Sequence, residues 1–271
     1  MTSAALRRPL PAGHVEALLV AALLLVAGAA WVLTADRMDG MDAGPGTDLG
    51  GLGWFVVAWL TMMAAMMLPS MTPAALAHAR LQERGRVVPA GRLSATTGLF
   101  VAGYLASWGA AGLAGYALVE GVRSLDLGFL AWDEAGRFVA AGAIAGAALY
   151  QLTPLKERCL RHCRRPLGFM GEHWRLGPLG AVRMGMEHGG LCLGCCWALM
   201  ATLFAVGVMS LGMMAFVAAL IAAEKLLPRR KAVSRVVAVV LAALALAVAV
   251  APEEVPGLTI PGSQENMEEM S

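Results

Sequence analysis

The sequence predicts an all-α fold, a polytopic membrane bundle of about seven transmembrane helices with its amino end inside and its carboxyl end outside. Three observations carry that prediction. First, 58% of the 271 residues are hydrophobic and only 15% are charged, and the mean hydropathy is positive. This excludes a soluble enzyme and leaves no room for a large extramembrane domain. Second, apolar stretches close to the roughly 20 residues needed to cross a bilayer recur along the chain. Third, every Arg-rich connection between them falls on one side, as the positive-inside rule requires. A net charge of +2 is too small to argue for nucleic acid.

The organisation follows from these spans. Residues 1–15 read as a cytoplasmic amino terminus, 16–251 as a single transmembrane domain and 252–271 as an acidic, disordered tail. Arg7 and Arg8 precede a first span, Glu16 to about Ala35, which is longer than the roughly 7–15 apolar residues of a signal-peptide core. An acidic loop, Asp36 to Gly53, follows. It holds Asp39, Asp42 and Asp48 at spacings that fit no calcium loop, and its simplest reading is a solvated outer segment.

The second span, Trp54 to about Ala77, carries Met62, Met63, Met66 and Met67. These form two adjacent i, i+4 rows that cover about 140° of a helix surface. Methionine is a flexible apolar filler, and its thioether is also a ligand for Cu(I); the spacing is compatible with both. Pro69 and Pro73 are expected to bend or interrupt the inner end. Arg80, Arg84, Arg86 and Arg92 place the next connection inside, with His78 as a solvated or interfacial residue. Gly103, Gly109, Gly112 and Gly115 give the third span, about Thr96 to Val119, the small-residue texture of a tight helix interface. The loop Glu120 to Glu134, with Trp132, reads as outer and interfacial.

A fourth span, from about Phe138, ends in Tyr150-Gln151 and the cationic run Lys156 to Arg165. Cys159 and Cys163 make an i, i+4 pair there, with His162 beside them. Such a pair can hold a thiophilic metal, can be reactive beside its arginines, or can be idle. From Cys163 to Gly190 the chain is amphipathic and is expected to lie along the inner interface.

The fifth span opens at His188-Gly-Gly-Leu-Cys192-Leu-Gly-Cys195-Cys196 and runs to about Met209. On a helix His188, Cys192 and Cys195 share a face, and Cys196 lies one step further round. Four soft-metal ligands therefore point one way. A turn at Ser210 starts a sixth span that ends at Glu224, Lys225 and Pro228, with Glu224 and Lys225 expected as an interfacial pair. Arg229, Arg230, Lys231 and Arg235 lead into a seventh, about Val236 to Ala251. All five cysteines fall in the inner half or the cytoplasm, a reducing compartment, so structural disulfides are not expected.

Four separated motifs add a resemblance. They are Met62-Met63-Ala-Ala-Met66-Met67-Leu-Pro69, then Leu149-Tyr-Gln-Leu-Thr-Pro154-Leu-Lys156 with Cys159, then Gly194-Cys195-Cys196-Trp197-Ala198-Leu199-Met200, then Glu224-Lys225 with Pro228. In these, from about residue 54 to 228, the chain resembles the DUF2182 family of predicted metal-binding integral membrane proteins. The resemblance implies a membrane protein that binds metal.

Thiolates with thioethers favour Cu(I), held by Cys192, Cys195 and Cys196, with His188 as an extra ligand and the four methionines as weaker, exchangeable ones. Sequestration, transfer and transport are all open, with the bilayer and a metallochaperone or metalloenzyme as partners and the oligomeric state unset. A Cys3His set would also suit zinc. Two alternatives belong to other classes. A membrane thiol-disulfide oxidoreductase would use the Cys192-Leu-Gly-Cys195 spacing but lacks an outer thiol. A non-catalytic assembly or accessory subunit would use Met and Cys as packing alone. No Gly-rich, Lys-containing nucleotide motif occurs, so transport would be passive, exchange-linked or proton-linked.

Overall fold

A computed structural model describes residues 12–38, 50–85, 90–125, 135–206, 210–228 and 230–255, and all regular structure among them is helical. The helices are α1 (Ala12–Met38), α2 (Leu52–Gly85), α3 (Ala90–Arg123), α4 (Arg137–Tyr150), α5 (Pro154–Arg164), α6 (Pro166–His173), α7 (Gly177–Val206), α8 (Leu211–Leu226) and α9 (Arg230–Val250), closed by a short 3-10 turn at Pro252–Glu254. Most of the acidic loop after α1, Trp132 and the acidic tail lie outside the described residues.

Five helices are long and apolar enough to cross a membrane: within α1, α2, α3, α7 and α9. A sixth is reached only if α4 and α5 count as one span, and these two are bent by 67°. The bend has a local cause. Gln151, Leu152 and Thr153 break the ladder, Pro154 starts α5 at the position where its missing N–H is harmless, and the Thr153 hydroxyl caps the new helix by accepting from Lys156 N. The expected sixth span, α8, has 16 residues. At 1.5 Å per residue it reaches about 24 Å, short of a roughly 30 Å hydrocarbon core.

Two boundaries differ from expectation. The fifth span does not open at His188: α7 starts at Gly177, so Cys192 sits in the middle of a 30-residue helix, well away from either end. Pro69 and Pro73 do not interrupt α2, which runs through both. Hydroxyls serve the carbonyls nearby, with Ser70 Oγ donating to Met67 O at 2.9 Å and Thr72 Oγ1 to Leu68 O at 2.9 Å.

The most extensive packing is α3 on α7, followed by α1 on α2 and α4 on α9, with α4 and α5 also resting on α7. The α3–α7 contact is backbone to backbone. A side chain at Gly103 would meet the Val182 carbonyl, and one at Gly185 would meet the Phe100 carbonyl. Gly103 and Gly185 therefore bring these two helices together, while Gly109 and Gly112 of the third span face Leu60 and Trp59 of α2. Between them and α2 lies a core of Phe100, Tyr104, Trp108 and buried methionines, in which Trp59 Nε1 donates to Trp108 O at 2.8 Å.

Candidate metal centre

The helical repeat places Cys192, Cys195 and Cys196 on the inward side of α7, and all three are buried. The 67° bend before α5 then delivers a fourth thiol from another element. Cys163, in the last turn of α5, lies with its Sγ 3.8 Å from Cys195 Sγ. The sulfurs of Cys163, Cys192 and Cys195 all lie within 4.8 Å of one another. Cys196 adjoins this triangle, 3.3 Å from Cys195 Sγ.

These dimensions suit a metal ion. A trigonal or tetrahedral ion with metal–sulfur bonds of about 2.3 Å holds its sulfurs roughly 4 Å apart. Three thiols within 4.8 Å of one another need little movement to converge on one centre.

The other nominated ligands divide. Cys159 does not join the triangle with Cys163, although one helical turn separates them; its sulfur packs on α7 at Gly194, where a Cβ would lie 2.7 Å from it. A side chain at 194 would displace the Cys159 sulfur from this contact, and Tyr150 Oη donates to the Gly194 carbonyl at 2.5 Å beside it. His188 is buried, but its ring sits among Phe169, Phe100 and Tyr104 at centroid distances of 5.3, 6.0 and 6.0 Å. It is not part of the three-thiol set, and its Nδ1 has no hydrogen-bond partner among the described residues. Met62, Met63, Met66 and Met67 are all buried in the core on α2.

Two residues that the sequence reading did not assign to the site surround Cys192. Tyr104 Oη lies 3.0 Å from its sulfur, and Lys225 Nζ donates to the same sulfur at 3.1 Å and to Ser70 Oγ at 3.0 Å. Lys225 thereby joins α8, the thiol helix α7 and the methionine helix α2; Ser70 is one turn beyond Met66 and Met67.

Glu224 and Lys225 are not an interfacial pair. Glu224 faces the other way, where both of its carboxylate oxygens take hydrogen bonds from Lys156 Nζ at 2.6 Å with the two side chains almost wholly buried. Successive helical residues point about 100° apart, so each takes a different partner. The signal was present in the sequence, because an ionisable residue inside an apolar helix asks for a partner. His78, expected to be solvated or interfacial, is also buried, stacked on Phe100 at 4.9 Å and 3.3 Å from Thr97 Oγ1.

The comparison with known families now decides the lineage. A family model described as PpoB2, copper chaperone, matches residues 56–248. The chain belongs to this copper chaperone family. The matched region runs from α2 into α9 and includes every cysteine, Lys156, Glu224 and Lys225. No curated protein and no solved structure matches the chain.

Proposed function

We propose that the protein is an integral membrane Cu(I) chaperone that takes the ion at Cys163, Cys192 and Cys195 and hands it to a metalloprotein partner. The observation that carries this reading is the triangle of sulfurs within 4.8 Å, drawn from two helices in a copper chaperone family. Soft thiolates select Cu(I) over hard cations, and the family match gives zinc no support. Cys196 is a fourth thiol within reach for exchange. Met62, Met63, Met66 and Met67 serve as weaker thioether ligands along the path, and His188 supports the site from one turn away.

Charge fits the same reading. Three thiolates with one Cu(I) carry two net negative charges, costly in an apolar interior. Lys225 offsets one, and the Tyr104 hydroxyl donates a hydrogen bond to the same sulfur. In this reading the chain lies in the inner membrane with its amino end inside. Seven crossings then require the 16-residue α8 to complete a span despite its length, and the α4–α5 pair to complete one despite its 67° bend.

Anaerobic competition against a chromophoric Cu(I) chelator tests the proposal on the reduced, detergent-purified chain. The intact chain should hold about one Cu(I) against the chelator, and the Cys163→Ser chain should release it. Equal retention by both would remove Cys163 from the site and with it the two-helix centre.

A further inference from the structure

We infer that the chain carries a second, separate site, one that binds the phosphate group of an anionic lipid at the α4–α5 bend. This inference does not rest on the copper reading. A cavity of about 220 Å³ opens between the bend, α5 and the first turns of α9. Arg161 and Arg164 line it from α5, and Lys231 and Arg235 line it from α9. Glu157 is the one acidic residue on its wall, and the charge of Lys156, also on the wall, is spent on Glu224. Arg164 donates to the Glu224 carbonyl, so Arg161, Lys231 and Arg235 set against Glu157 leave a surplus of two positive charges on a concave surface.

Positive residues at a helix end are by themselves only a topology signal. What makes this cavity a built site is Gln151. Gln151 lines the wall and is 4% exposed, yet neither its Nε2 nor its Oε1 has a hydrogen-bond partner among the described residues. A buried amide left with both groups unmet calls for a polar occupant. A phosphate oxygen would accept from Nε2, while the surrounding guanidinium and ammonium groups supply charge and further donors. Ser234 adds a hydroxyl from α9.

The surroundings favour a lipid as the source of that phosphate. Leu152 lines the cavity and is 60% exposed, and Leu149 and Leu155 beside it are 71% and 58% exposed. An occupant with its phosphate on Gln151 and the basic residues would lay its acyl chains along these leucines. Basic pockets between transmembrane helices recognise anionic headgroups in this way. Free phosphate shares the headgroup chemistry but leaves the leucines uncovered.

Native mass spectrometry of the full chain tests the site, with phosphatidylglycerol titrated against phosphatidylcholine. Two variants are compared: Arg161→Gln/Lys231→Gln/Arg235→Gln, which alters exposed side chains only, and Gln151→Leu. Phosphatidylglycerol should be retained in preference to phosphatidylcholine, with retention falling about tenfold or more in the triple variant and falling also in Gln151→Leu. Should Gln151→Leu fail to fold, the triple variant carries the test. Inorganic phosphate that displaces phosphatidylglycerol would show that the phosphate group alone is recognised, which upholds the site. Equal retention of the two lipids, or phosphatidylglycerol retention unchanged in the triple variant, overturns it.

Discussion

Two lysines in the bundle interior, Lys156 and Lys225, make contacts of opposite kinds. Lys156 meets both oxygens of the Glu224 carboxylate, so the two charges cancel within hydrogen-bond distance. Lys225, the very next residue to Glu224, has a hydroxyl and a sulfur as its partners, and no carboxylate lies within ion-pair distance of it among the described residues. The first arrangement is a closed structural pair, fixing α5 against α8. The second is incomplete until negative charge builds up on the thiols. On the proposed reading, a cation held against a cysteine cluster without a carboxylate offsets the charge of the thiolates that bind the metal.

This contrast can be broken in order of size. Glu224→Gln leaves the Lys156 ammonium buried and uncompensated, and should lower the unfolding free energy in detergent by about 3–5 kcal/mol. Replacing both partners by apolar residues, Lys156→Met with Glu224→Leu, should recover most of that loss, because the pair is structural.

Lys225→Met should behave differently. The fold should persist while Cu(I) affinity, measured by chelator competition, drops roughly 10- to 100-fold, the equivalent of a charged hydrogen bond worth about 1.5–3 kcal/mol. A chain that unfolds but binds copper normally when folded would reverse the assignment of the two lysines.

Tyr104→Phe removes the hydroxyl's hydrogen bond to Cys192 and keeps the ring in its core niche. Its effect on Cu(I) affinity should be about 1 kcal/mol, a few-fold change in the same competition assay. Smallest of all is Cys159→Ser, because that sulfur packs on Gly194 outside the triangle. Copper stoichiometry should not change, and a loss there equal to that of Cys163→Ser would mean that the i, i+4 pair on α5 acts together.

The local part of the site was legible in the sequence. Cys192, Cys195 and Cys196 are related by helical periodicity, which needs no tertiary information, and so are the methionine rows of α2. The small-residue contact of α3 was legible for the same reason. Convergence was not. Cys163 reaches Cys195 only because three residues and a proline turn the chain by 67° after Tyr150, and spacing along a helix carries no trace of such a turn. His188 shows the converse. Its position one turn before Cys192 is right for a ligand, but the volume around its ring is taken by aromatic side chains from α3 and α6.

The span count was legible only where helices are long. Five spans stand on length and composition, whereas the bent α4–α5 pair and the 16-residue α8 are apolar enough to read as spans but too bent or too short to pass as single crossings. Those same irregular elements hold Lys156, Cys163, Glu224 and Lys225. The departures from a regular bundle are what bring the site together.

The most direct measurement is copper K-edge X-ray absorption on the reduced full chain loaded anaerobically with one equivalent of Cu(I), alongside the Cys163→Ser/Cys192→Ser/Cys195→Ser variant. The account predicts an all-sulfur first shell near the roughly 2.3 Å of metal–thiolate bonds in the intact chain, and no such shell in the variant. A nitrogen or oxygen shell in the intact chain, or the same sulfur shell in both, would contradict it.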